Sequence, residues 1–120
     1  MDLVKRNFTK FHVYELHNEE YGFDAPGLMR CVALIRQQTK GSNKDLIVDF
    51  SLAGHMPLVA LDVVIALIKI ATDNGVNIGL CALAPSLTTF FVKTVKGKEV
   101  KLFINIEAAV KTFSRLIRQK

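Results

Sequence analysis

The sequence predicts an α/β domain in which a mainly parallel sheet carries helices. Two short apolar runs, "DLIVDF" (Asp45–Phe50) and "VNIGLCALA" (Val76–Ala84), sit between polar ends and read as buried strands. Longer segments with apolar residues at helical spacing separate the strands. Gly, Pro and Asn mark the junctions. Alternation of the two kinds of segment implies strands that run the same way, with helices packed on them.

"FTKFHVYELH" (Phe8–His17) alternates loosely, with Phe11 and Val13 on one side and His12, Tyr14 and Leu16 on the other, and predicts the first strand. "NEEYGFDAPG" is a polar connection. "LMRCVALIRQQ" (Leu28–Gln38) sets Leu28, Cys31, Val32 and Ile35 on one helical stripe. "KGSNK" breaks that helix before Asp45. A second helix is predicted from Pro57, because proline lacks an N–H that would have no partner at a first helical position. It runs to about Asn74, where "DNG" offers Gly75 as a left-handed cap. Pro85 and Ser86 open a third helix, "SLTTFFVKTV". "GKEVKLFIN" gives a turn and a strand. "IEAAVKTFSRLIRQ" gives a last helix whose stripe is Ile106, Ala109, Val110, Phe113 and Leu116.

The 120 residues suit one domain, 1–120, and half of them are apolar, enough for a core. The net charge of +5 is unevenly placed. Residues 1–92 hold 8 Lys/Arg and 9 Asp/Glu, whereas residues 93–120 hold 8 and 2. A basic end suits anionic lipid, nucleic acid or an acidic protein surface. No nucleic-acid motif accompanies it, so no nucleic-acid partner is expected. Cys31 and Cys81 lie in apolar runs without CxxC spacing and read as buried, reduced thiols. No signal-peptide core opens the chain, and Asp62 and Lys69 interrupt its longest apolar run. A cytoplasmic protein is expected.

The residues that carry chemistry do not assemble. The loops after the two buried strands lack GxGxxG and GxxxxGK[ST], so no nucleotide cofactor is expected. His12 and His17 face opposite sides of one strand, and His55 stands alone; all three read as surface or edge histidines, with no metal site. Ser51 lies four residues before His55, but its hydroxyl is better placed for local backbone bonds. Catalytic residues, cofactors and metals are all expected to be absent, and the chain is not expected to be an enzyme.

The unusual feature is the loop "SLAGHM" and the apolar helix after it. From Pro57 to Ala71 only Asp62 and Lys69 are charged, and Leu58 and Ile65 share their side of the helix. If that side faces water, grouped apolar residues mark a contact surface. The expected partner-binding residues are Gly54, His55, Met56, Pro57, Leu58, Val59, Asp62 and Ile65. Burial inside a homodimer is the alternative cover for this helix.

Three stretches resemble the STAS domain, the fold of anti-sigma factor antagonists and of the cytoplasmic tails of sulfate transporters. They are "GFDAPGLMRCVALI", "LIVDFSLAGHMPLVALDVVIALIKIATDNGVNIGLCALAPSL" and "VKGKEVKLFINIEAAV". The resemblance implies a STAS-like mixed sheet, its first strands antiparallel, with four helices. It also implies a non-enzymatic interaction module, resembling an anti-sigma factor antagonist, whose partner is a regulatory protein such as a kinase-like anti-sigma factor. The family's Asp-Ser-Ser/Thr-Gly motif falls on Pro57, Leu58, Val59 and Ala60, so Leu58 stands where the phosphate acceptor would be. The family's acceptor position therefore carries no hydroxyl; Ser51, Thr88 and Thr89 remain as hydroxyls, and nothing in the sequence selects one. A second reading is a cytoplasmic subunit of a lipid transporter, with the basic quarter against anionic headgroups. Only that reading brings the chain to a membrane. A third is a ligand-binding module, which the lack of a Gly-rich turn disfavours for nucleotides.

Overall fold

The computed structural model describes residues 1–19, 22–94 and 100–119. Five strands form one sheet in the order β1-β2-β3-β4-β5. They are β1 (Asp2–Asn7), β2 (Phe11–His17), β3 (Asp45–Asp49), β4 (Ile78–Cys81) and β5 (Val100–Phe103). The helices are α1 (Ala25–Thr39), α2 (Leu61–Asn74), α3 (Pro85–Thr94) and α4 (Ile106–Gln119). β1 pairs antiparallel with β2, and every other neighbouring pair is parallel. The sheet is thus mixed, with four helices on it.

The side-chain period of two divides the core between the sheet's faces. Tyr14, Leu16, Leu46, Val48, Ile78 and Leu80 pack towards α1 and α2. Phe11, Val13, Ile47 and Cys81 pack towards Ala109 and Phe113 of α4. Phe113 meets the edges of Phe11 and Phe103, with ring centroids at 6.3 Å and 6.0 Å. Gly79 makes this approach feasible: a Cβ there would lie 2.9 Å from the Phe103 ring and 3.2 Å from the Phe113 ring.

The helix signals act as their chemistry requires. The Asp24 carboxylate accepts the Gly27 N–H at 2.9 Å and caps α1, with proline in the first turn. Gly75 ends α2 with φ at 67°, a left-handed cap. The α4 stripe is buried at Ala109 and Phe113; the side chain of Leu116 lies outside the described residues. So do Glu20 and Tyr21 of the first connection and the turn expected before β5.

Four expectations are corrected. β1 has no counterpart in the residue reading: "DLVKRN" is an edge strand with a mostly exposed, charged face, so it lacks the alternation that marks a half-buried strand. Residues 76–77 and 82–84 lie outside β4, because only its centre pairs with both neighbours. The helix after the loop does not begin at Pro57. A 3-10 turn, Leu58–Ala60, comes first, and α2 starts at Leu61. His12 is not a surface histidine: it is 7% exposed, beneath the α1–β3 connection, with Nε2 3.2 Å from Ser42 Oγ. Its Nδ1 is buried and has no partner among the described residues.

Burial, then Lys5 and Lys44, lower the pKa of His12 below its ordinary 6.5. The folded state therefore resists a proton that the unfolded chain accepts. Stability is complete above pH 6.5 and falls as the pH drops towards the lowered value. His12→Gln is expected to flatten the fall in Tm between pH 6.5 and about 5, above the main carboxylate range. Thermal melts of both proteins across that window check it; parallel curves would remove His12 as the cause.

Candidate partner-binding site

The site hangs from the C-terminal end of β3. Asp49 is buried there, between Glu15 and Cys81 in register, and its Oδ1 accepts the Ser51 N–H at 3.0 Å. That bond turns the chain out of the sheet. Ala53 is buried, and its N–H donates to the Phe50 carbonyl at 3.0 Å. The Asn18 N–H donates to the Leu52 carbonyl at 2.8 Å and ties this loop to the β2–α1 connection. Gly54 takes φ at 81°, a left-handed conformation suited to glycine.

Two anchors then decide what the loop displays. Met56 returns to the core at 6% exposure, and Ala60 is fully buried two residues past Leu58. The Ala60 N–H donates to the Pro57 carbonyl at 2.9 Å, which closes the 3-10 turn. Of the three residues between the anchors, Pro57 is half-buried and two point outward: Leu58 is 58% exposed and Val59 is 69% exposed. Ile65, two helical turns beyond Leu58, is 39% exposed, on the flank shared with Lys69 and Thr72. Asp62 lies between this flank and Val59, also exposed.

Along this loop and the start of α2, Gly54, His55, Leu58, Val59, Asp62 and Ile65 are exposed and Pro57 is half-buried. Met56 is the correction: it is a buried anchor and no part of the surface, because its long side chain fills the space under the loop. Two apolar surface residues beside this site, in the loop and across from Val59, escaped the sequence reading. Leu52, 55% exposed, sits in the same loop, and nothing in its spacing separates it from core leucines. Met29, 62% exposed, lies one position off the stripe of Leu28, Cys31, Val32 and Ile35, and that offset was its signal.

Several ionisable groups of the sheet are engaged or held neutral. Glu15 accepts from Arg6 at 3.0 Å and lies 3.1 Å from the His17 ring. Burial, then the Asp49 and Glu107 carboxylates, push the Cys81 thiol up to about 12, so it stays protonated at neutral pH. The Tyr14 hydroxyl, likewise raised to about 12 by burial, donates to Gln38 at 3.0 Å. Among the described residues no group of three His, Cys or carboxylate side chains could hold a metal, and no helix is long and apolar enough to cross a membrane.

No protein-family model matches the sequence, and no curated protein does. Solved structures do match. A serine-to-glutamate variant of RsbS from Moorella thermoacetica aligns with a TM-score of 0.76 and 12% identity, over 98% of this chain and 99% of its own. An anti-sigma-factor antagonist (STAS) domain protein from Planctomyces limnophilus aligns at 0.72 and 9% identity, over 95% and 99%. A chain of the stressosome, described as a signal integration and transduction hub, aligns at 0.69 and 12%, over 96% and 99%.

The chain has the STAS fold. Near-complete coverage in both directions carries that conclusion, since each neighbour is matched end to end. Within this STAS fold, Leu58 and Val59 occupy the 3-10 turn that opens α2.

The two roles of the loop separate by mutation. Met56→Ala is expected to cost about 2–5 kcal/mol through a cavity under the loop. Val59→Ala is expected to stay within about 0.5 kcal/mol. Urea unfolding of both variants measures this, and equal losses would contradict the division between anchor and surface.

Proposed function

We propose that the chain is a non-enzymatic protein-interaction module, resembling an anti-sigma factor antagonist, that binds a regulatory protein through the β3–α2 loop. The observation behind it is the outward display of Leu58, Val59 and Ile65 on a loop pinned at Met56 and Ala60. Exposed apolar residues grouped around one acid are costly in water and gain by being covered. The STAS resemblance supports a partner contact at this turn.

The same resemblance puts the phosphate acceptor at Leu58. A phosphate there would add about two negative charges at pH 7 and weaken an apolar contact. Leu58 has no hydroxyl, and no Ser, Thr or Tyr occurs from residue 52 to residue 71. The contact is therefore constitutive, or regulated away from this loop.

Leu58→Asp tests the reading. It is expected to abolish capture of the partner from native lysate and to leave Tm nearly unchanged, because Leu58 is 58% exposed. Retention of the same partners by Leu58→Asp would sink the loop as the site. A large fall in Tm would show Leu58 to be structural.

A second reading, the cytoplasmic subunit of a lipid transporter, draws on one observation. Lys111 and Arg115 are exposed on α4, in the quarter of the chain that holds 8 Lys/Arg against 2 Asp/Glu. Such a face binds anionic vesicles at low salt and leaves them at about 0.5 M salt, where the screening length falls to a few ångströms. Co-sedimentation with phosphatidylserine vesicles at both salts checks this; absence of low-salt binding removes the reading.

A further inference from the structure

α1 and α2 lie side by side on one face of the sheet and run in the same direction, since each returns between parallel strands. The Asn74 side-chain amide donates to the Thr39 carbonyl at 2.9 Å, which brings their C-terminal ends together. Between the helices is an open groove of about 470 Å³, lined by Val32, Val63 and Ala66 and flanked by Met29 and Val59. Met29 and Val59 are 62% and 69% exposed, so the groove presents apolar area to water. This groove lies on the opposite flank of Asp62 from Leu58 and Ile65.

The charges of the groove are the informative part. Arg36 stands in the last turn of α1 and Asp62 in the first turn of α2, and both line the groove. With the helices parallel, the base and the acid sit at opposite ends and on opposite walls. Both are exposed, and neither makes an ion pair among the described residues. A two-fold axis across the helices reverses the ends of the groove. It sets each acid level with the other copy's base, while the apolar centres meet. A two-fold axis along the groove would set acid against acid. The groove is therefore complementary in charge to its own antiparallel copy.

We propose that the α1–α2 groove is a self-association surface, occupied by the same groove of a second copy of this chain. The helices of the two copies run antiparallel, and Arg36 of each copy faces Asp62 of the other.

Sedimentation equilibrium of the full chain from about 5 µM to about 500 µM reads the result. The wild type is expected to approach twice the chain mass. Arg36→Asp and Asp62→Arg are each expected to weaken the dimer about tenfold or more, because each sets like charges together at both ends. An equimolar mixture of the two variants is expected to recover the dimer: one copy then brings only acids to the contact and the other only bases. Both positions are exposed in the monomer, so at concentrations where the wild type is monomeric the variants are expected to melt with it. Val59 and Asp62 border both this groove and the loop contact; Leu58→Asp, on the other flank, is expected to leave the dimer intact and so separates the two. A wild type that stays monomeric through the range would overturn the proposal and leave the groove to another occupant. A dimer indifferent to both reversals, one not recovered by mixing, or one lost in Leu58→Asp alone would overturn it too.

Discussion

The structure depends on the burial of β3 on both faces. Leu46 and Val48 pack under α1 and α2, and Ile47 packs under α4, all at 2% exposure or less. Each such side chain contributes about 1.5–3 kcal/mol by leaving water. Aspartates sit at both ends of this strand with their charge engaged: Asp45 accepts the Asn77 N–H and Asp49 accepts the Ser51 N–H, each at 3.0 Å. The first bond holds the approach to β4 in register. The second starts the loop that displays the candidate site. A strand fixed on two faces and at two ends gives that loop a rigid base.

From that base the loop's conformation follows from burial more than from its own propensity. Ala53, Met56 and Ala60 go inward, and the chain between the last two is too short to hide Leu58 and Val59 as well. The apolar surface is thus a consequence of where the small and flexible residues sit. Alanine at position 60 allows the turn to pass close over the core, and methionine at position 56 adapts to the space beneath. The buried polar groups serve structure here: Glu15 with Arg6 and His17, and Tyr14 with Gln38. That arrangement suits a module that works by contact.

The alternation of elements was legible because periods of two and of three to four residues cannot be confused over long segments. The α1 and α4 stripes, the Gly75 cap and the two buried strands all followed from it. β1 was not legible, because an edge strand keeps no burial pattern and gains its place only by pairing with β2. His12 was misread because its neighbours in sequence, Phe11 and Val13, face the other side of the sheet. What buries it is the connection around Ser42, thirty residues away. At the candidate site, spacing grouped Leu58 and Ile65 with Asp62 and Lys69 but left open whether that side meets water or a second copy; their exposure became visible only in the fold.

The sequence by itself determined the order of strands and helices from β2 onward, and it determined that no hydroxyl stands in the β3–α2 loop beyond Ser51. Both are local properties, set by composition and spacing. Only the tertiary structure decided that Met56 is an anchor while Leu58 and Val59 are surface, and that Met29 and Val59 flank one groove. The four residues are equally apolar in sequence. Their fates differ because burial is a property of what packs above a residue, and that is fixed by elements brought together from distant parts of the chain.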